Sequence, residues 1–264
     1  MRSWRSRQVR MAKGRRRQRR LIFIFIIILA VALGAFYAFF LSGWLAVTGV
    51  EMVGVHFTQA EQLKKEAEQY LFSQQFLGFI NFRNNLIFLS AKDFSGLLLK
   101  DPAVKDFSLT KSLKDRSLIF YLRERQEKGI LCLAGEEQSC FYFDDQGVIF
   151  AASPQTEGNV IFLIKDASGR LYNLGDRILT QGSFSDLITI WDSLAVRFHL
   201  DDVQVTAADL IIKSSAGWRI YLNSEDLTRT KVAVQNLLQS DFNFGSLEYL
   251  DLRYLPNIYW KSAP

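Results

Sequence analysis

The sequence predicts an α+β protein with a single N-terminal transmembrane helix, and three observations lead to that class. Residues 21–50 contain no charged residue, and 21–40 is almost entirely Leu, Ile, Phe, Val and Ala. Residues 45–126 combine β-rich stretches with two amphipathic helical patterns. From residue 127 onward, short β-rich runs separated by turn signals dominate, interrupted by two further helical patterns.

The first twenty residues form a basic tail with ten Lys or Arg and no Asp or Glu. Twenty helical residues rise about 30 Å, the thickness of a bilayer's hydrocarbon core. Because basic flanks stay in the cytoplasm, we expect a cytoplasmic tail (1–20), a transmembrane helix (21–44) and an extracytoplasmic remainder on the cell (inner) membrane. A cleaved signal peptide is disfavoured, because the apolar run exceeds the roughly 7–15 residues of such a segment.

The basic charge of the chain belongs to this tail. Ten of the 32 basic residues lie in it, so 22 remain against 27 acidic residues in the rest of the chain. A short basic tail of this kind favours contact with anionic lipid over binding to nucleic acid.

Residues 45–126 predict the order strand, helix, helix, strand, strand. Thr58 and Glu61 have the spacing of a capping box at the start of the first helix. Ser90 and Asp93 form a second capping pair at the start of the second helix. Alternating residues then predict two strands, the second of them over 117–123.

Residues 127–256 predict a mixed, mostly antiparallel β-domain with two or more helices. Its hairpin turns are expected at 144–147, 166–169 and 214–217. Its helices are expected from Ser183, with Asp186 as the capping partner, and over 227–238. The last predicted strand covers 247–254, followed by a C-terminal tail over 257–264.

No pattern of catalytic or metal-binding residues stands out. His56 and His199 lack partners at the spacing of metal ligands, and zinc sites need three or four clustered ligands. The acidic pairs 144–145 and 201–202 are interpreted as turns rather than as catalytic carboxylates. We therefore expect no enzymatic activity, no metal, no cofactor and no small-molecule substrate.

Two cysteines, Cys132 and Cys140, flank a turn-rich segment. A disulfide across a hairpin and two unpaired thiols both fit the sequence, because the sequence does not give the Cα separation that decides between them.

Five segments resemble the FtsQ/DivIB family of bacterial cell-division proteins in their order along the chain. They are 85–89 (NLIFL), 101–104 (DPAV), 123–125 (RER), 142–150 (YFDDQGVIF) and 249–254 (YLDLRY). The resemblance spans nearly the whole chain and implies a POTRA domain over 45–126 and an FtsQ-type β-domain over 127–256. Gln126 departs from the family, which usually has Pro there, and the family pattern does not require the cysteine pair.

The resemblance implies a non-enzymatic scaffold at the division septum. Its partners would be single-pass division proteins resembling FtsB/DivIC and FtsL, with FtsW and the septal penicillin-binding protein as further candidates, and it would help regulate septal cell-wall synthesis. Two alternative functions are those of a membrane-anchored cell-wall enzyme and of a POTRA-bearing translocation or assembly factor.

The C-terminal segment is the candidate partner site. A terminal strand is often an edge strand, whose unpaired backbone groups accept a partner strand, and exposed aromatics beside it favour an interface. The alternative is that these residues pack on the domain's own core. The predicted site residues are Tyr249, Leu250, Asp251, Leu252, Arg253, Tyr254, Pro256, Ile258 and Trp260.

Overall fold

The computed structural model of the chain describes residues 3–37, 44–72, 84–134, 139–154, 162–207 and 209–263. Within these ranges the chain is α+β with two sheets. The helices are α1 (Ser3–Phe36), α2 (Ala60–Phe72), α3 (Ala91–Leu98), α4 (Gln181–Ala195) and α5 (Leu227–Gln239). The strands are β1 (Gly49–Val53), β2 (Val104–Ser112), β3 (Ser117–Glu124), β4 (Gly129–Leu133), β5 (Cys140–Phe143), β6 (Ile149–Ser153), β7 (Phe162–Asp166), β8 (Leu200–Val205), β9 (Asp209–Ser214), β10 (Arg219–Asn223), β11 (Leu247–Asp251) and β12 (Tyr259–Ser262).

The chain divides into two compact units whose segments interleave. Unit 1 comprises Met1–Val53, Gln59–Leu98 and Phe107–Tyr121, and unit 2 comprises Gly54–Thr58, Leu99–Asp106 and Leu122–Pro264. The single boundary expected between residues 126 and 127 remains a prediction.

The N-terminal helix corrects the expectation of a membrane anchor. Across the described residues, no helix combines the length and hydropathy needed to cross a membrane. The single-pass anchor over 21–44, and the membrane localisation that depended on it, are therefore wrong; residues 38–43 lie outside the described residues.

Unit 1 contains a helix pair and a sheet in the strand order β1-β3-β2, with β1 and β3 parallel. Leu63, Ala67 and Leu71 of α2 are buried, as their helical spacing predicts. The Ser90 N–H and hydroxyl both donate to the Asp93 carboxylate, at 2.7 and 2.8 Å, which caps α3 as expected.

Unit 2 is built on a nine-stranded mixed sheet in the order β12-β11-β10-β9-β8-β7-β4-β5-β6. Strand β7 runs parallel to both β4 and β8, whereas β4-β5-β6 and β8-β9-β10 are antiparallel. The buried residues of α4 and α5 belong to the same hydrophobic core as one face of this sheet. Phe184 and Trp191 of α4 pack their rings against Phe143 and Phe162 of the sheet, at centroid distances of 5.5 and 4.6 Å.

Three local predictions in unit 2 are wrong. Thr180, not Ser183, is the N-cap of α4, because its side chain accepts from the Ser183 N–H. The turn expected at 166–169 does not lead into a strand; the Asp166 carboxylate instead accepts from the Ser168 N–H and the Tyr172 hydroxyl, which folds the chain into a loop. The acidic pair 201–202 lies inside β8 and not in a turn.

Candidate functional site

The C-terminal residues form the outer strand of the nine-stranded sheet, but it is not the strand that the sequence predicted. The predicted strand 247–254 ends at Asp251 as β11 and is flanked by β10 and β12. Among the strands that the structure describes, β12 pairs with β11 alone. The edge is therefore β12, and Trp260 lies opposite Leu250 while Tyr259 lies opposite Asp251.

The free backbone groups of β12 can be assigned from its ladder. The Ala263 N–H donates to the Ser246 carbonyl, toward β11, at 2.8 Å. Backbone groups alternate in direction along an antiparallel strand, so Tyr259 and Lys261 also face β11. The N–H and C=O groups of Trp260 and Ser262 consequently point away from the sheet, where a further strand would bind.

Three aromatic side chains surround this edge and are more than half exposed: Tyr254 (59%), Tyr259 (54%) and Trp260 (59%). The indole of Trp260 packs edge-on against Phe242 at a centroid distance of 6.0 Å. The rings of Tyr254 and Tyr259 lie 6.4 Å apart. Tyrosine and tryptophan are enriched at the centres of protein interfaces, so this edge has the composition of one.

A groove of about 630 Å³ lies beside the same edge, between α5 and the chain that leads into β12. Helix α5 contributes Val232, Ala233 and Leu237 to its wall, and two of the predicted site residues, Pro256 and Ile258, form the opposite wall. Arg229, Asn236, Ser240 and Leu255 complete the lining. The groove is mostly apolar and is suited to an apolar side chain of a bound polypeptide.

Arg253 is the centre of a charged cluster that fixes the end of β11. Its guanidinium donates to both oxygens of Asp251, at 2.9 and 2.6 Å, and to Asp209 on β9 at 2.8 Å. The guanidinium also lies 5.1 Å from the ring centroid of Tyr221 and 5.4 Å from that of Tyr254. Asp251 and Arg253 thus form an ion pair, and the bond from Arg253 to Asp209 ties the end of β11 to β9.

The charged cluster changes the pKa values of Asp251 and Arg253. Burial disfavours the ionised form of Asp251, but the hydrogen bonds and the charge of Arg253 together outweigh that effect, so the pKa of Asp251 lies below its ordinary value of 3.8. The hydrogen bonds to Asp251 raise the pKa of Arg253 above its ordinary value. The ion pair is therefore formed throughout the neutral range.

Not every predicted site residue is accessible to a partner. Leu250 and Leu252 are fully buried in the core of unit 2. Their side chains pack in the core beneath the edge strand and do not face a partner, as the sequence had predicted they would. Tyr249 is half-buried beside Tyr221, at a centroid distance of 6.1 Å.

Sequence reasoning missed β12 itself and treated residues 257–264 as a tail. The available signal was a short run of β-forming residues, Ile258, Tyr259 and Trp260, directly after the Pro256-Asn257 pair. A four-residue strand is too short for alternation to reveal it.

The two cysteines form a disulfide bond between β4 and β5, where they lie directly opposite each other. It closes the segment between them, of which residues 135–138 lie outside the described part of the chain. The bond fixes the β4-β5 hairpin.

The charged motif at 123–125 and the hairpin at 144–147 have structural roles within unit 2. The Glu124 carboxylate accepts the backbone N–H groups of His56 (2.7 Å), Phe57 (3.0 Å) and Thr58 (2.7 Å). Arg125 pairs at 2.5 Å with Asp144, which is almost fully buried and also accepts two backbone N–H groups of its own turn. Both carboxylates therefore hold backbone N–H groups in place.

No group of three or more metal-ligating side chains occurs among the described residues. The backbone carbonyl of His199 accepts from the hydroxyls of Ser214 and Ser215, which gives that residue a role in the β8-β9 connection.

Fold and site together define an α+β protein with an exposed sheet edge at β12, aromatic side chains around that edge and an adjoining apolar groove. The sequence matches no protein-family model, and it matches none of the curated proteins with which it was compared.

Proposed function

We propose that the chain is a non-enzymatic scaffold that binds a partner protein by addition of a strand to β12. The observation that carries the proposal is the outward direction of the Trp260 and Ser262 backbone groups at an edge rimmed by exposed aromatics. Main-chain hydrogen bonds supply affinity in this mode of binding, and pockets for alternate side chains supply specificity.

The groove beside α5 supports the same mode. In an added strand, every second side chain projects toward one face of the sheet. Trp260 lies on the face where the core residue Leu250 lies, as their pairing requires. A partner side chain on that face would lie close to Pro256 and Ile258, which form one wall of the groove.

The class of partner is proposed from the sequence resemblance. The segment 249–254 that resembles the FtsQ/DivIB family ends at Tyr254, whose ring lies 6.4 Å from that of Tyr259 in β12. The resemblance and the exposed edge therefore point to the same part of the chain. The proposed partners are division proteins resembling FtsB/DivIC and FtsL, and the proposed role is to recruit them and to help regulate cell-wall synthesis during division.

Ser262 offers a sharp test of strand addition. Proline at this position removes an outward N–H but no hydrogen bond to β11, and an edge strand tolerates it. The Ser262→Pro variant should bind FtsB/DivIC-like and FtsL-like ectodomains from the same genome at least about tenfold more weakly, since it loses a main-chain bond and places a ring where the partner strand pairs. The Ser262→Ala control keeps the N–H and should bind as the parent does.

Biolayer interferometry measures the affinity of both variants, and their melting temperatures show whether each variant is folded. If Ser262→Pro folds and binds like Ser262→Ala, strand addition at β12 is excluded. If the unmodified chain binds none of the candidate ectodomains, the proposed role in division is wrong.

A further inference from the structure

Three turn segments meet at one end of unit 1: residues 44–48, 84–88 and 111–116. Hydrogen bonds hold them together. The bonds are Leu86 N–H to Leu45 O (2.9 Å), Thr48 N–H to Arg116 O (2.8 Å), Thr48 Oγ1 to Asp115 O (3.1 Å) and Lys111 Nζ to Ile87 O (3.4 Å). The backbones of these segments therefore lie next to one another.

This end of unit 1 exposes large apolar side chains, which we call the apolar tip. It consists of Trp44 (65% exposed), Ile87 (51%), Phe88 (48%) and Leu113 (66%). Single exposed apolar residues are common on proteins. Here four of them lie on segments whose backbones are hydrogen-bonded to one another, and exposed apolar patches mark interaction sites.

Basic residues are interleaved with the apolar tip. Lys111 lies near the end of β2, and Lys114 and Arg116 lie in the β2-β3 turn that carries Leu113; all three are exposed. The one acidic residue of that turn, Asp115, accepts a hydrogen bond from the Ser112 hydroxyl at 2.8 Å. The turn therefore has a net positive charge around an exposed leucine.

We propose that the apolar tip inserts into the headgroup layer of an anionic lipid surface, with Lys111, Lys114 and Arg116 contacting the lipid phosphates. Tryptophan prefers the boundary between headgroups and hydrocarbon, and basic residues near an anionic surface add favourable energy. A headgroup layer needs no shape-matched pocket, which suits side chains carried separately on turns. The contact is peripheral, needs no helix that crosses the bilayer, and does not depend on the strand-binding role assigned to unit 2.

The chain permits a site-specific test. Its only two cysteines are bonded to each other, so a Leu113→Cys variant has one reactive thiol for an environment-sensitive nitrobenzoxadiazole label. Leu171, an exposed leucine of unit 2 (86%), provides the matched Leu171→Cys control. Because α1 also exposes apolar side chains, co-sedimentation of the full chain is not diagnostic, and the emission of the label is the readout.

On vesicles of 70% phosphatidylcholine and 30% phosphatidylglycerol, the label at 113 should shift to shorter wavelength and the label at 171 should not. Neutralising Lys114 or Arg116 with Gln should weaken that response about fivefold each in the vesicle concentration required. Equal responses at 113 and 171, no response at 113, or an equal response on pure phosphatidylcholine would each overturn the proposal. Protection of residue 113 by an FtsB/DivIC-like ectodomain, without a response to vesicles, would make the tip a protein interface instead.

Discussion

Replacing Trp260 with alanine is expected to weaken partner binding about thirtyfold. Trp260 is 59% exposed, and a tryptophan side chain presents up to about 250 Å², so roughly 150 Å² remains for a partner to cover. At about 25 cal/mol per Å² this area is worth at most about 3.7 kcal/mol. Ordering of side chains at the interface costs about 0.5–1.5 kcal/mol each, and about 2 kcal/mol is left, which is about thirtyfold in Kd.

The assay is titration calorimetry of the full chain against the ectodomain that binds it, with thermal melting as the check on folding. Trp260 also contacts Phe242, so a small loss of melting temperature is expected and does not affect the comparison. Leu171→Ala, at an exposed residue of the same unit, should leave Kd unchanged. A folded Trp260→Ala variant that binds within threefold of the parent would refute the assignment of this side chain as an anchor.

Three further predictions concern the stability of unit 2 and are checked by urea unfolding. The double variant Cys132→Ser/Cys140→Ser should lower the free energy of unfolding by about 2–3 kcal/mol, because closing a loop of this length reduces the conformational entropy of the unfolded chain by that equivalent. An unchanged free energy of unfolding would contradict this stabilising role of the disulfide. Asp144→Ala removes the carboxylate partner of the largely buried Arg125 and the acceptor of two backbone N–H groups, and it should cost about 3–5 kcal/mol. The exposed neighbour variant Asp145→Ala should cost at most about 1 kcal/mol; similar losses in the two variants would contradict the structural role of Asp144. Because the pKa of Asp251 is lower in the folded state, its ionised carboxylate stabilises the fold above pH 4, and that contribution is lost as the pH falls further. The difference in unfolding free energy between the parent and Asp251→Asn should therefore become smaller between pH 5 and pH 3. A constant difference would show that the ionisation of Asp251 is not coupled to folding.

The parts of the fold that sequence predicted well are those fixed by local chemistry. Helices α2, α3 and α5 have apolar residues at helical spacing, so periodicity locates them. Ser90 and Asp93 also mark the start of α3. The predicted Thr58 cap of α2 is wrong, because the Leu63 N–H donates to the Gln59 carbonyl and Gln59 therefore takes the cap position. The hairpin at 144–147 was also predictable, because Asp144 binds the backbone of its own turn.

The parts that sequence predicted poorly depend on distant residues. Strand β7 lies between β4 and β8 and pairs with both in parallel, and no local sequence pattern identifies the strands with which it pairs. The loop after β7 forms because Asp166 is buried and binds Tyr172, which no turn rule predicts.

The end of β11 shows why the candidate site was misplaced by one strand. The alternation of 247–254 continues past Asp251, so the sequence pattern predicts an uninterrupted strand. In the structure the Arg253 N–H donates to the Asp251 side chain at 3.0 Å, which turns the chain back on itself. The residues that follow can then return as β12 and cover the edge that β11 would otherwise expose.

This placement changes how the C-terminus has to be tested. Truncation after Pro256 removes all of β12 and uncovers the outer backbone groups of β11, which then form a new edge. Such a variant can therefore still bind a strand, at β11 in place of β12, and undiminished affinity would not exclude the C-terminal residues from the interface. Ser262→Pro keeps β12 in place and alters only its outward side, so a loss of binding in that variant can be assigned to the edge itself.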